Sequence, residues 1–395
     1  MSGGPGEVVV SIDEDYGFLR QPVRRICERF PGEYWRALDA EGRYPSEFVD
    51  ALTEHEYLAA LIPEEYGGAG LPLRAGVAIL ETIHESGCNA AACHAQMYTM
   101  GTLLRHGSEE QKRQYLPRIA RGELRLQAFG VTEPTTGSDT LRLKTQAVRD
   151  GDEYVINGQK IWTSRALYSD LMILLVRTTA LEQVEKRSHG LSVFLVDLRA
   201  ARERGGLEIR PIETMINHNT TEIFFTDLRV PASSLIGEEG RGFRYILDGM
   251  NAERILLSGE ALGDARYFLR RATEYAKQRE VFGRPIGQNQ GIAFPLARCW
   301  AQTQAADMMV RKAAGLFDAH RECGAEANSA KLLASEAAWA AGDACFQTFG
   351  GFAFATEYDI ERKWRECRLF QTAPISSNMV LAFIAQNVLG LPRSY

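Results

Sequence analysis

The sequence has no apolar run long enough to cross a bilayer, and its densest apolar stretch covers only residues 171–176 of 395. It also has no excess of basic charge, because 45 Lys and Arg residues are outnumbered by 51 Asp and Glu residues, for a net charge of −6. A nucleic-acid surface requires clustered cations that neutralise phosphates. The composition therefore predicts neither membrane insertion nor a nucleic-acid partner.

Paired cysteines and a secretory leader are missing as well. The seven cysteines are an odd number, and no two of them form a C-x-x-C pair. The first residues show no basic region followed by an apolar stretch, so a secretory signal is not expected. Reduced thiols and a cytoplasmic location are the expectation.

The sequence also lacks the motifs that mark common nucleotide and hydrolase sites. No G-x-G-x-x-G follows a predicted strand, and Walker A, H-E-x-x-H and G-x-S-x-G motifs are absent. His84, His94 and His106 lie in a region of helical pattern without the spacing of metal ligands. We therefore predict no metal site and interpret these histidines as ordinary polar helix residues.

The pattern that is present runs from helices to strands and back to helices. Apolar residues recur at three- and four-residue steps from about residue 12 to 125, and helix returns from Gly242 onward. A chain of this length has room for two or three packed subdomains. We predict a mainly α protein with a central β-domain, divided into a helical domain (1–125), a β-domain (126–232) and a second helical domain (233–395).

Short strands are predicted within the β-domain, and no crossover helices alternate with them, which argues against a Rossmann core. The apolar segments 171–176, 191–196 and 222–225 fit strands. Asn157-Gly158 lies between two further β-type segments and is a typical two-residue hairpin turn, because it supplies positive φ angles.

Four weak motifs follow one another along the chain. They are a small and hydroxyl-rich loop at 129–139, Trp162-Thr163-Ser164, a helix end and turn at 279–290, and Gln347 to Gly351. The loop could turn backbone N–H groups toward an anion or a planar ring. Each motif alone is explained equally well by a polar loop, a core tryptophan, a helix cap or a glycine that ends a helix.

Together and in this order, the four motifs resemble those of the acyl-CoA dehydrogenase family. The resemblance implies an N-terminal helical domain, a middle β-barrel-like domain, a C-terminal four-helix bundle and bound FAD. It implies a homotetramer built as a dimer of dimers, in which Gln347, Gly350 and Gly351 reach the flavin of a neighbouring subunit. The implied flavin-site residues are Phe129, Val131, Thr132, Ser138, Trp162, Thr163, Ser164, Arg279, Phe282, Gln290, Gln347, Gly350, Gly351 and Ser376, with Ser138 also along the CoA arm of the substrate.

The resemblance implies a reaction that converts an acyl-CoA thioester to its trans-2-enoyl-CoA. A carboxylate removes the α-proton, a hydride leaves the β-carbon for flavin N5, and an electron-transfer flavoprotein takes up the electrons. Most members of the family carry the glutamate near the C-terminus, where this chain has Pro374. A minority, including isovaleryl-CoA and long-chain dehydrogenases, carry it on a long helix, where this chain has Glu253 followed by Arg254.

The helical pattern supports Glu253 independently of the resemblance. Ile246, Met250, Glu253 and Leu257 fall on one stripe of the predicted helix. Burial of a carboxylate raises its pKa, which suits a general base near neutral pH. We therefore predict Glu253 as the base; the alternative is a glutamate at the edge of the stripe that pairs with a surface cation.

The sequence predicts the substrate contacts less precisely than the catalytic base. The resemblance places Tyr98 and Met100 at the floor of the acyl pocket, which favours a short, medium or branched acyl group, although ordinary core packing explains both residues equally well. Pro374 has no N–H where the family binds the thioester oxygen. The Ile375 amide, a one-residue shift of the segment or a flavin ribityl hydroxyl could replace it.

Three other functions remain open. The chain could be an acyl-CoA oxidase that passes electrons to oxygen, or a related flavoenzyme acting on a substrate other than a CoA ester. Nitroalkane oxidases are such enzymes, but they use an aspartate as base. Pro374 also leaves open a non-catalytic flavin-binding protein, although an intact Glu253 argues against it.

Overall fold

The computed structural model describes residues 16–393. Its helices are α1 (Gly17–Glu28), α2 (Gly32–Glu41), α3 (Ser46–Glu54), α4 (Leu73–Glu85), α5 (Ala91–His106), α6 (Glu109–Ala120), α7 (Leu198–Arg204), α8 (Gly242–Gln278), α9 (Gln290–Asp318), α10 (Gly324–Phe349), α11 (Ile360–Cys367) and α12 (Ser377–Phe383). Its strands are β1 (Leu126–Gly130), β2 (Gln146–Asp150), β3 (Glu153–Ser164), β4 (Leu171–Arg177), β5 (Leu191–Asp197), β6 (Leu207–Pro211), β7 (Thr220–Pro231), β8 (Leu235–Ile236), β9 (Glu280–Val281) and β10 (Arg284–Pro285). The expected order of helices, sheet and helices is confirmed.

The helices before and after the sheet share one core. Helix α8 packs along α4 on one side and along α9 and α10 on the other. Two glycines on α8 let the α4 backbone approach closely: a Cβ at Gly259 would lie 2.9 Å from the Val77 carbonyl oxygen, and one at Gly263 would collide with the Glu81 carbonyl oxygen. This close approach brings the polar side chains of α4 and α8 together.

The eight-stranded sheet has the order β6-β7-β3-β2-β4-β5-β8, with β1 parallel to β4. One face packs on α5, α6 and the start of α8 through residues such as Met100, Leu116 and Ile246. The other face encloses its own core, which includes Tyr154 and Phe194. Helix α5 therefore lies between the sheet and α8.

The predicted hairpin at Asn157-Gly158 is wrong. Strand β3 runs through this dipeptide and pairs with β7 on both sides of it, with a register shift between Ile156 and Gly158. The Asn157 side chain bonds Asp227, and Gly158 has a φ of 143° where a Cβ would lie only 2.6 Å from Thr145. The turn lies at Gly151, where β2 leads into β3. The dipeptide thus forms a bulge, and β3 and β7 are longer than the short strands predicted.

Within residues 16–393, no helix has both the length and the apolar character needed to cross a membrane. The same residues contain no cluster of three or more His, Cys, Asp or Glu side chains able to hold a metal ion. The seven cysteines are all buried free thiols.

Candidate active site

Glu253 lies on α8 with only 7% of its surface exposed. Burial raises the pKa of its carboxyl to about 7, and the opposing effects of His94 and Arg254 are smaller. Among the described residues it forms no ion pair, so the alternative of a surface pair is wrong. Ile246 and Leu257 on the same stripe are also buried, as the helical pattern predicts.

Tyr98 on α5 lies within electrostatic reach of this carboxylate. Its ring meets Phe129 of β1 edge-on at 5.4 Å and His94 at 5.2 Å. Burial raises the pKa of the Tyr98 phenol, and the Glu253 charge acts in the same direction. Met100 is instead fully buried in the core between α5 and the sheet. Tyr98 thus lies within electrostatic reach of Glu253 and packs on Phe129, whereas Met100 has a packing role.

Arg254, which follows the base on α8, and Lys331 of α10 are buried cations within electrostatic reach of each other. Arg254 donates through Nη1 to Asn251 at 3.0 Å, and its Nε has no partner in the described chain. Lys331 of α10 is fully buried, and its Nζ also has no partner among residues 16–393. Burial, followed by the Arg254 charge, lowers the pKa of Lys331 to about 8. Arg254 therefore places positive charge next to Glu253, and Lys331 lies within electrostatic reach of Arg254.

The 129–139 loop is held by an ion pair that the sequence analysis missed. The fully buried Lys160 donates to Glu133 at 2.9 Å and to the Val131 carbonyl at 2.9 Å. Glu133 also accepts the backbone N–H groups of Lys144 and Thr145. With Glu133 anchored, the loop holds Val131 in place and leaves Ser138 exposed.

Trp162 lies beside this loop, because the Ile161 amide donates to the Thr132 carbonyl at 2.9 Å. It has a φ of 61° at a register shift of β3, and 57% of its surface is exposed, so the core interpretation is wrong. Thr163 is buried, whereas Ser164 is half-buried. A strained, exposed tryptophan beside an anchored loop offers a flat apolar surface to a ligand.

The remaining motifs form a second exposed surface. Phe282 is 100% exposed, with a φ of 55°, at the turn between β9 and β10. Gln290 opens α9, and Gln347, Gly350 and Gly351 are exposed at the end of α10. The Arg279 guanidinium lies 5.9 Å from the Phe352 ring, directly after Gly351. Arg279 and the end of α10 are thus close to each other within the chain.

The Pro374 segment leads into α12. Ser376 caps this helix, its Oγ accepting the Met379 amide at 3.4 Å. Ile375 is half-buried, and its amide donates to no backbone carbonyl within the described chain. The segment therefore offers one unused N–H immediately after the proline.

Two of the histidines interpreted as ordinary helix residues belong to a buried network. His84 lies 2.8 Å from Asp264, which pairs with Lys363 at 2.6 Å, and His94 lies 3.3 Å from Glu260. Burial raises the pKa of Glu260, but His94 and the neighbouring histidines outweigh it and lower the pKa to about 2. The spacing of Glu253, Glu260 and Asp264 on α8 was a sequence signal that could have revealed this network.

Comparison with known proteins agrees with this architecture. Family models match for the acyl-CoA dehydrogenase N-terminal domain (13–123), middle domain (128–228) and C-terminal domain (240–389). The chain is 34% identical to acyl-CoA dehydrogenase FadE12 of Mycobacterium tuberculosis over 387 residues, which cover 97% of this chain and 98% of the relative. It is 33% identical to cyclohex-1-ene-1-carbonyl-CoA dehydrogenase of Syntrophus aciditrophicus over 91% of this chain and 86% of the relative.

A solved structure shows the same three-part fold. Butyryl-CoA dehydrogenase from Megasphaera elsdenii superposes with a TM-score of 0.86 at 28% identity, covering 95% of this chain and 100% of the other. Since the family models span most of the chain, and the matched relatives are covered almost end to end, the chain belongs to the acyl-CoA dehydrogenase family, whose members are oxidoreductases.

Proposed function

We propose that this protein is an FAD-dependent enzyme that converts an acyl-CoA thioester to its trans-2-enoyl-CoA, with Glu253 as the catalytic base. The observation that carries the proposal is a carboxylate buried beside Tyr98, free of ion pairs in the described chain, with a pKa of about 7. A base with this pKa is partly ionised at neutral pH and binds the abstracted proton well.

The surroundings of Glu253 suit charge that develops on the thioester. Arg254 keeps positive charge near the base without neutralising it in an ion pair within the described chain. Tyr98 and Phe129 meet edge-on at 5.4 Å, and as part of the site wall they would exclude water and strengthen the electrostatic interactions inside it. For the thioester oxygen we propose the Ile375 amide, because Pro374 has no N–H and the Ile375 N–H has no backbone partner in the described chain.

The exposed motif residues fit a flavin. Trp162 is exposed beside the anchored loop at Thr132. The Arg279 guanidinium lies 5.9 Å from Phe352, directly after the exposed Gly351, and Gln290 is exposed at the start of α9. These residues would hold the isoalloxazine ring and the adenine-pyrophosphate end of FAD. FAD, when bound, supplies the acceptor for the hydride that leaves the β-carbon.

The experiment that tests this function is an anaerobic titration of the FAD-loaded protein with a panel of acyl-CoA esters, followed at the visible flavin band. Glu253→Gln is compared with Glu274→Gln, which changes an exposed glutamate on the same helix. We expect at least one ester to bleach the flavin of the wild type and of Glu274→Gln, while Glu253→Gln stays oxidised. Equally fast bleaching of Glu253→Gln would show that another group is the base.

The electron acceptor is a separate part of the proposal. We propose an electron-transfer flavoprotein, as the family implies, and a homotetramer as the assembly. Peroxide formed in step with turnover under air would identify an oxidase instead. Flavin that binds but is bleached by no ester would favour a non-CoA substrate or a non-catalytic protein.

A further inference from the structure

Arg165 is a buried cation that lacks an anion. It follows Ser164 with a φ of 60°, and its backbone N–H donates to the Asn219 carbonyl at 2.8 Å. Only 5% of its surface is exposed, and its Nε has no partner among residues 16–393. Its guanidinium contacts His218, from Nη1 to Nε2 at 3.4 Å, and it forms no ion pair with any described carboxylate. A buried charge without a counterion is costly unless a ligand supplies the opposite charge.

His218 does not balance this cation. Burial, followed by the Arg165 charge, lowers the pKa of His218 to about 3, so the imidazole is neutral at physiological pH. It can accept one hydrogen bond through Nε2 but contributes no negative charge. The guanidinium therefore keeps an unused donor, and the Glu260 carboxylate whose charge acts on it is already paired with His94 at 3.3 Å.

A pocket opens beside Arg165. Its wall includes Tyr44, Asn89, Ala91 and Asn217 together with Arg165. Tyr44 and Asn217 donate to Gln127 and to the Leu38 and Arg43 carbonyls, so the donors left to an anion in this pocket are the Arg165 guanidinium and the Asn89 amide.

The two carboxylates in the same wall are already neutralised. Asp39 pairs with Arg365 at 2.7 Å, and Glu366 pairs with Arg362 at 2.9 Å and with Lys363 at 3.1 Å. Each carboxylate therefore has its own cation, and none is left for Arg165.

Helix α5 connects this pocket to the base. Ala91 lines the pocket, and Tyr98 lies seven residues later on the same face of the helix, roughly 10 Å along its axis. The Tyr98 phenol lies in the fields of both Glu253 and Arg165. Tyr98 is therefore the side chain along which an acyl group with its α-carbon at Glu253 would extend toward Arg165.

We propose that Arg165 binds a carboxylate at the far end of the acyl group, so that the substrate is a CoA monothioester of a dicarboxylic acid. The inference rests on the proposed function, because Glu253 fixes the reacting end. A methyl-ended chain would leave the guanidinium buried and unpaired, and a hydroxyl or amide end would leave its charge unbalanced. A carboxylate supplies both the charge and two acceptor oxygens.

The test uses the FAD-loaded enzyme and CoA thioethers, which bind but cannot be dehydrogenated. Three series of equal chain length end in a carboxylate, a carboxamide or a methyl group, and their affinities are measured by calorimetry. The variants are Arg165→Gln, Arg165→Lys and the control Arg202→Gln. Arg202 is an exposed arginine that donates to the Ala166 carbonyl at 3.0 Å, immediately after Arg165 in the chain. The corresponding thioesters are then tested for flavin bleaching.

We expect the wild type to bind the carboxylate series roughly 10- to 100-fold more tightly than either of the other two. This preference is lost in Arg165→Gln, partly kept in Arg165→Lys, which also guards against a folding defect, and unchanged in Arg202→Gln. A wild type that prefers methyl or carboxamide ends, or a preference that survives in Arg165→Gln, would overturn the inference. Arg165-dependent binding without bleaching by any thioester would instead refute the proposed dehydrogenation and leave the carboxylate site standing.

Discussion

At the scale of single residues, the immediate surroundings of each buried carboxylate on α8 determine its pKa. Glu253 and Glu260 lie two turns apart on α8, both buried, yet their pKa values move in opposite directions. Glu260 is next to His94 at 3.3 Å, whereas Glu253 has no ion pair in the described chain. The histidine beside Glu260 thus keeps that carboxyl ionised, whereas Glu253, which lacks such a close partner, can exchange a proton near neutral pH.

The reductive step should depend on the ionisation of Glu253. Its carboxyl must be deprotonated to accept a proton, and its pKa is about 7. We expect the rate of flavin bleaching to rise about tenfold per pH unit below 7 and to level off above it. Stopped-flow measurements from pH 5 to 9 with one bleaching ester test this. A rate that is flat across this range would contradict the assignment.

Replacing Glu253 should also change stability in a pH-dependent way. The folded pKa of about 7 lies above the ordinary glutamate pKa of 4.5, so between these two pH values the folded state holds a proton that the unfolded state has lost. The free energy of unfolding therefore falls as the pH rises through this window, and the cost is complete above pH 7. Glu253→Gln removes this cost and should be more stable than the wild type by about 3 kcal/mol at pH 8.

Denaturant unfolding at pH 8 and pH 5 measures this difference, with Glu274→Gln as the exposed control on the same helix. The gain should be largest at pH 8 and small at pH 5, where Glu253 is protonated in the folded state. An equal effect at both pH values would point to packing rather than ionisation.

At the scale of elements, close packing of α4 on α8 is what assembles the buried network. His84 of α4 reaches Asp264 of α8 at 2.8 Å because Gly263 allows the two backbones to approach. The helix pair thus fixes the charges that surround the base.

Gly263→Ala should force these helices apart. The new Cβ would collide with the Glu81 carbonyl oxygen, which belongs to the α4 backbone and cannot rotate away. We expect a loss of roughly 2–4 kcal/mol in the free energy of unfolding. Gly291→Ala on α9 is the matched control, because a Cβ there meets nothing within 4 Å. A Gly263→Ala variant as stable as this control would show that α4 adjusts without cost.

The buried ion pair between Lys160 of β3 and Glu133 allows a second test at the scale of elements. Lys160 is fully buried and holds Glu133 at 2.9 Å, which anchors the loop beside Trp162. Lys160→Met leaves the Glu133 carboxylate buried without its cation, at a cost of about 3–5 kcal/mol. We expect a lower melting temperature and a smaller fraction of bound FAD after purification.

Lys112→Met serves as the comparison, since Lys112 pairs with the exposed Glu109 at 3.0 Å on the surface. This variant should retain its flavin and change stability by less than about 1 kcal/mol. Normal flavin content in Lys160→Met would mean that the loop does not depend on the buried pair.

At the scale of the whole molecule, the order of helices, sheet and helices was predictable because each type of element has its own apolar period. The burial of Glu253 was predictable for the same reason, since Ile246 and Leu257 share its stripe. The hairpin turn predicted at Asn157-Gly158 was wrong because the long pairing of β3 with β7 overrides the local turn preference of this dipeptide. The Lys160–Glu133 pair and the orphaned Arg165 join distant segments, and a single sequence carries no signal for such contacts.

Exposed apolar side chains remain on the surface of the single chain. Phe282 at the β9–β10 turn is fully exposed, and Phe294 and Trp300 are largely exposed on α9. A set of large apolar residues open to water is typical of a subunit interface. We expect the protein to sediment as a species of about four times the chain mass of 44.0 kDa.

Trp300→Glu should shift the assembly toward smaller species, because a buried unpaired carboxylate opposes association. Arg298→Glu, also exposed on α9, introduces the same side chain without removing an apolar group and should shift the assembly less. Sedimentation velocity at several protein concentrations measures this, and a wild type that sediments as a monomer at every concentration would refute the proposed homotetramer.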